Sequence, residues 1–320
     1  MIWVLPLFWL ACAAAGYLYS QQRGIPLEIV QHALPAFLLE ATFFLILGVE
    51  RWRTRLEKLP PAAVAAILTA AAVAPYCAAS LALGSFEGRS FAAITLLGAL
   101  VSFWYVVLPH RPAVDLLLLA LMAGVVLTKA FGSFYVRPDP KLPLEALGQA
   151  MWIRTGVFAL LSVRRVKGVG FGFWPSVREW KIGATYFALL LPVAGALAWW
   201  IGFANPHVPA SEWLKALLFG ILTFFGALWV LALGEEFFFR GLLQQWMTSW
   251  LRNEWAGLIV TSLLFGSVHF WYRSFPNWRF ATLAAVAGVF YGLAFRQASS
   301  IRASMVTHAL TVTTWKVFFS

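Results

Sequence analysis

The sequence predicts an all-α fold, a polytopic transmembrane helical bundle, and three observations predict it. Hydrophobic residues make up 61% of the 320 residues and charged residues only 12%, whereas soluble domains carry roughly a quarter charged residues. Apolar runs of about twenty residues recur along the whole chain, each long enough to cross a hydrocarbon core of roughly 30 Å as a helix. Runs such as Ala62 to Leu83 are apolar on every side, while the strands of a membrane barrel alternate apolar and polar residues.

About 10–11 apolar spans are expected, near residues 2–19, 27–49, 61–83, 90–108, 113–131, 146–163, 183–202, 213–250, 255–270, 280–296 and 301–319. The first lacks a basic leader and is longer than a signal core, so it reads as a retained helix. The eighth is too long for one simple crossing, and Gly234 is a candidate break within it. Breakers punctuate the connections: Gly24 with Pro26, Pro60 with Pro61, Pro109 with Pro112, and Pro138, Pro140 and Pro143 together. The longest hydrophilic stretch, Arg164 to Lys181, mixes basic residues with Phe171, Phe173, Trp174 and Trp180, a composition suited to the lipid headgroup layer. It separates an N-terminal multi-span region, 1–182, from a C-terminal core, 183–320.

A formal charge of +11 could suggest nucleic acid, but the basic residues sit in short clusters between apolar spans. That is the pattern of positive-inside anchoring, and no nucleic-acid partner is expected. With the N-terminus inside, the inner connections hold Arg51, Arg53, Arg55, Lys58, Arg111, Arg164, Arg165, Lys167, Arg178, Lys181, Arg252, Arg296 and Arg302; the outer ones hold fewer. A plasma (inner) membrane location with a cytoplasmic N-terminus is expected, a break at Gly234 being the one feature that would invert the spans beyond it. Cys12 and Cys77 both lie inside apolar stretches, which indicates neither a disulfide framework nor a thiolate metal site.

Ionisable residues inside a bilayer are costly, by roughly 2.5–3.5 kcal/mol each on insertion scales, and mark functional candidates. The densest group is Gly234-Glu235-Glu236-Phe237-Phe238-Phe239-Arg240-Gly241. On a helix Glu236 and Arg240 are i,i+4 neighbours in the favourable order for an ion pair. Glu235 then points about 100° away without that partner and is the candidate general base. A polar turn, Arg252-Asn253-Glu254, separates this run from Ala256 to His269. In a helical hairpin Glu235 and His269 lie at similar depth, with Phe265 one turn below His269. His308, in the last span, is a second imidazole for the same layer. Of the Phe237-Phe238-Phe239 stripe, packing explains most, with one ring available to line a groove.

Two carboxylates and two histidines suit hydrolysis in two ways. Glu235, His269 and His308 could hold a divalent metal such as zinc that activates water. Alternatively Glu235 and His269 deprotonate a water unaided while His308 stabilises the oxyanion. No HExxH motif favours the metal. An alternative class is a transporter or non-catalytic scaffold using the same cluster for an ion or a lipid; a carrier would show internal repeats, and none is seen.

Glu235-Glu236-xxx-Arg240, Phe265-xxx-His269 and His308, with Arg240-Gly241-Leu242-Leu243 and the pair Gly288 and Gly292, together resemble the three ordered motifs of the CAAX-protease and bacteriocin-processing family. These are membrane endopeptidases that include type II CAAX prenyl endopeptidases. The resemblance covers roughly 213–315 and implies an endopeptidase acting on a membrane-associated or prenylated protein or peptide substrate. It makes Glu235 and His269 the water-activating pair, Glu236 and Arg240 their support, and His308 the oxyanion stabiliser. One position departs: the family's asparagine four residues after the third histidine is Val312 here, and valine donates no hydrogen bond. Thr311 and Thr313 are the nearby hydroxyls.

Elsewhere Glu40, His32, Asp115 and Lys129 are candidates for intramembrane polar positions; Glu40 is expected to pair structurally, while His32 and Asp115 are expected near span ends, where interfacial contact suffices. His110 and His207 fall in connections.

Overall fold

A computed structural model describes residues 4–203 and 213–319. His207 lies outside the described residues. Every expected span is helical: α1 (Val4–Arg23), α2 (Leu27–Gly48), α4 (Pro61–Ala82), α5 (Gly88–Val107), α6 (Pro112–Leu127), α8 (Glu145–Val163), α9 (Val177–Trp200), α10 (Trp213–Leu251), α11 (Glu254–Ser267), α12 (Trp278–Ala298) and α13 (Ile301–Phe318). Two short helices, α3 (Glu50–Leu56) and α7 (Phe131–Phe134), lie in connections. The chain is an integral membrane protein. Seven of these helices are long and apolar enough to cross a bilayer, fewer than the ten or eleven expected. The difference has plain causes. Helices α6 and α11 are short, α1 ends in Ser20-Gln21-Gln22-Arg23, and α13 carries Arg302, His308, Lys316 and several hydroxyls.

Two compact units form, residues 1–166 and 167–320. In the first, Arg154 makes a two-pronged ion pair with Glu40 at 2.8 and 3.1 Å and donates to the Ala71 carbonyl at 3.0 Å. Its guanidinium also sits 5.0 Å from the Phe43 ring centre. The expectation that Glu40 pairs structurally holds. Asp115 lies near a span end as expected, in the first turn of α6, but it does not rely on interfacial contact: it is buried, accepts from the Tyr105 hydroxyl at 2.8 Å and pairs with Arg164 at 3.2 Å. Arg164, just past the end of α8, supplies this partner, so Asp115 has no need of water. His32 is exposed as expected, and Lys129 is exposed as well, in the connection after α6.

In the second unit the segment 167–176 packs against the helices of that unit, with Val169 and Phe171 buried. Val169 and Gly170 accept through their carbonyls from Ile301 N–H at 2.9 Å and the Ser300 hydroxyl at 3.0 Å. Gly170 has φ +62°, and a Cβ there would lie 2.5 Å from Ser300 Cα, so conformation and space both demand glycine. Ser176 and Glu179 form a reciprocal capping box that starts α9, and Glu179 pairs with Arg302 at 2.9 Å.

Helix α10 does not break at Gly234. It passes through a regular turn, Leu233–Glu236, flanked by wide π-helical stretches at Ala227–Ala232 and Phe237–Gln244. Such insertions recur at functional sites because the widened turn re-aims side chains while the chain continues. The hairpin to α11 turns at Arg252 (φ +51°), and the Asn253 side chain caps α11 by accepting from Trp255 and Ala256 N–H at 2.9 and 3.0 Å.

Arg154→Ala leaves Glu40 buried and unpaired, a loss of about 3–5 kcal/mol. The thermal unfolding midpoint in detergent is expected to fall sharply for R154A, and the double replacement Glu40→Leu, Arg154→Met should recover most of it. An R154A protein as stable as the parent would show that the pair is dispensable.

Candidate active site

All five candidate residues belong to the second unit. Glu235 and Glu236 occupy the regular turn of α10, and Arg240 follows in the wide stretch. Glu236 and Arg240 form the expected ion pair, 3.2 Å between Oε2 and Nε, with neither side chain exposed. The geometry is off-axis for a hydrogen bond, and the guanidinium nitrogens have no hydrogen-bond partner among the described residues. The guanidinium instead lies 5.1 Å from the Phe265 ring centre, a cation–π contact.

Glu236 does more than neutralise Arg240. Its Oε1 lies 2.8 Å from His308 Nδ1. A carboxylate only accepts, so Nδ1 carries the proton and donates it, and His308 presents Nε2 on its other side. That nitrogen is 3.9 Å from Glu235 Oε2. Tyr291 stacks on the His308 ring at 4.6 Å and 16°, and Phe265 meets it edge-on at 5.9 Å. The imidazole is therefore held by one hydrogen bond and two aromatic faces.

His269 departs from its expected position. Helix α11 ends at Ser267, and His269 sits in the turn after it. Its Nδ1 lies 2.7 Å from the Phe265 carbonyl, one of the acceptors a helix end leaves without a helical partner. A carbonyl accepts, so here too Nδ1 donates and Nε2 is the free nitrogen. The Phe265 ring lies 4.8 Å from the imidazole, as the i,i+4 spacing implied.

Glu235, His269 and His308 line one cavity of about 420 Å³, together with Phe265, Tyr291 and Thr311. Glu235 is 29% exposed because it faces this space, whereas Glu236 and Arg240 lie behind it with none. Adjacent carboxylates thus have different surroundings: one lines the cavity, the other is tied to an arginine and a histidine. Val312 and Thr314 also reach the cavity. Thr313 does not: its methyl faces the position of a Gly220 Cβ at 3.9 Å. None of Phe237, Phe238 and Phe239 lines the cavity. Phe237 packs on Phe171 and Phe239 on Phe265, so core packing claims the ring assigned to a groove.

Tyr291 was not among the candidates, although a tyrosine within an apolar span between Gly288 and Gly292 is a readable signal, since a buried hydroxyl needs a partner. The glycines themselves admit α10 to α12. A Cβ on Gly288 would lie 3.3 Å from Arg240 Nη2, and one on Gly292 2.6 Å from Gln244 Oε1. Among the described residues no three His, Cys, Asp or Glu side chains are grouped to hold a metal ion. His308 Nδ1 and His269 Nδ1 each face an oxygen acceptor, which leaves Nε2 of both rings available, the orientation that a ligating and a free imidazole share.

Fold and site together define a helical membrane protein with a carboxylate–imidazole centre buried among its spans. Residues 213–314, about a third of the chain, match the family model described as Type II CAAX prenyl endopeptidase Rce1-like. The match bears out the resemblance drawn from the three motifs, and the family is one of proteases that act on protein substrates at membranes. No curated protein and no solved structure matches the chain.

Helix α13 reaches its place through Gly183 on α9. A Cβ there would lie 2.6 Å from the Ala303 carbonyl, and the Gly183 carbonyl accepts from Thr307, beside His308, at 3.0 Å. Gly183→Ala is expected to cost about 1–3 kcal/mol by overpacking, lowering the thermal midpoint in detergent. An unchanged midpoint would show that α9 and α13 have slack at this contact.

Proposed function

We propose that the second unit is an intramembrane endopeptidase working through Glu235 and two histidines, without a resident metal. The observation that carries the reading is the shared cavity: a carboxylate and two imidazoles face one space, and the groups that orient them stand outside it.

Glu235 Oε2, 3.9 Å from His308 Nε2, is the oxygen that would hold the attacking water at an ordinary hydrogen-bond length of about 2.8 Å. Glu235 takes a proton from this water as its oxygen attacks the scissile carbonyl carbon, and the same proton passes to the departing amine as the C–N bond breaks. The two histidines differ in what stands behind them. His308 is backed by the Glu236 carboxylate, which compensates the charge when Nε2 also carries a proton, so His308 donates to the oxyanion. His269 is backed by a neutral carbonyl and remains an acceptor that aligns the water with Glu235. This division does not need an asparagine at 312. Apolar lining by Leu190, Ala194, Leu283 and Ala287 suits a hydrophobic stretch of substrate and excludes bulk water.

Glu235→Gln should lower cleavage of a membrane-protein substrate by about 10²–10⁴-fold, and His308→Ala by about 10²–10³-fold, with unfolding midpoints checked in parallel. Full cleavage by E235Q and His269→Ala would overturn the mechanism. Activity should survive a chelator such as EDTA; loss on chelation with recovery on adding zinc would assign the water to a metal instead.

A further inference from the structure

We infer that a second cavity, where α10 and α12 end and α11 begins, binds the phosphodiester headgroup of a membrane lipid whose free end carries a hydrogen-bond donor, an ethanolamine ammonium or a glycerol hydroxyl. The inference does not rest on the peptidase reading.

The cavity measures about 530 Å³ and shares no lining residue with the one that holds Glu235. That size is ordinary for a small-ligand site. Gln244 and Thr248 come to it from the last two turns of α10, Glu254 and Trp255 from the first turn of α11, Arg296 from the last turn of α12, and Tyr186 from α9. Three helices of the bundle therefore start or stop beside it, which puts it at the level where hydrocarbon gives way to headgroups. Trp255, 60% exposed, is an indole of the kind that settles at that level.

The chemistry of the ligand follows from the groups the cavity offers. Gln244 is 2% exposed; its amide N–H donates to the Gly292 carbonyl at 3.2 Å, while its Oε1 has no donor among the described residues. A buried acceptor left without a donor is costly, and a donor brought down the cavity removes that cost. Nearer the mouth Arg296 lies over the Trp255 ring, 4.5 Å from its centre, and pairs with Glu254 through Nη2. A guanidinium carries five N–H donors in a planar fork, so most of its capacity is left for a phosphate. One ligand with a phosphate and a terminal donor answers both groups.

Net charge is not what the cavity selects. Glu254 and Arg296 are the only charged residues lining it, and they cancel. A zwitterionic ethanolamine lipid and an anionic glycerol lipid are therefore both admitted, each offering a donor at its free end. A choline lipid has the same phosphodiester but a quaternary ammonium with no N–H, and Gln244 Oε1 would stay unpaired against it.

The test is lipid binding by the full chain, stripped of lipid in detergent and read by native mass spectrometry. Phosphatidylethanolamine, phosphatidylglycerol and phosphatidylcholine with the same acyl chains are titrated separately. The first two should bind about tenfold or more tighter than the third. Gln244→Met, which removes the acceptor, should abolish that preference, and Arg296→Gln should weaken the first two by about tenfold while keeping the preference. Equal binding of all three lipids to the parent would overturn the inference, as would unchanged affinities in R296Q. Thermal midpoints show whether Q244M is folded; if it is and the preference persists, the inference fails, and if it is not, R296Q carries the decision. Glycerophosphoethanolamine, the same headgroup without acyl chains, should compete only at far higher concentration; competition at lipid-like concentrations would assign the site to a free phosphodiester and overturn the lipid assignment. Binding should be unchanged by E235Q, so a wrong headgroup site and a wrong mechanism fail separately.

Discussion

A charge inside a bilayer must find its partners within the protein, because no water is there to supply them. Glu236 is where this constraint is most concentrated. One carboxylate faces a fully buried arginine with one oxygen and a histidine of another helix with the other. Two spans, α10 and α13, are thereby held at a fixed separation, and the orientation of His308 follows from an electrostatic requirement as well as from packing. Glu235, one residue earlier, is spared that role and faces the cavity. The division between a glutamate tied into an ion pair and one that lines the cavity comes from a single step of helix rotation.

Close approach of the helices is the second requirement, and glycine meets it. Gly183, Gly266, Gly288 and Gly292 each sit where a Cβ would meet a neighbouring helix at 3.3 Å or less. Between apolar helices in lipid there is little hydrophobic gain from association, so small residues that permit van der Waals contact carry much of it. At Gly288 the same absence of a side chain leaves room for the Arg240 guanidinium. Packing and electrostatics meet at one position there.

Much of this was legible in the sequence, and the limits have physical causes. All eleven spans appear as helices, because a run apolar on every side has no other stable form in lipid. The Glu236–Arg240 pair followed from i,i+4 spacing, and equal distances to a polar turn put Glu235 and His269 at similar depth, where both line one cavity. The second bond of Glu236, to His308, could not be read: it joins residues 72 apart in sequence. The continuity of α10 was hidden as well, since a glycine in a long apolar run is compatible with both a break and a widened turn. Arg154 escaped notice because a lone arginine in a moderately apolar span gives no sign that Glu40, 114 residues away, will meet it. The partner of Asp115, Arg164, 49 residues away, was hidden for the same reason.

The two histidines look alike in sequence, each a single imidazole in an apolar run, and what distinguishes them lies behind the ring. A proton added to His308 is compensated by a carboxylate 2.8 Å away; one added to His269 meets only a carbonyl dipole at 2.7 Å. Placed around a low-dielectric cavity, this difference is amplified, since the interaction of charges grows as water is removed. Valine at 312 is consistent with such a site. A cationic imidazole held by stacking and by a buried carboxylate can stabilise an oxyanion without an amide beside it, and Val312 then extends the apolar wall that keeps water from competing. The proposed chemistry therefore depends on Glu236, which does not line the cavity, as much as on Glu235, which does.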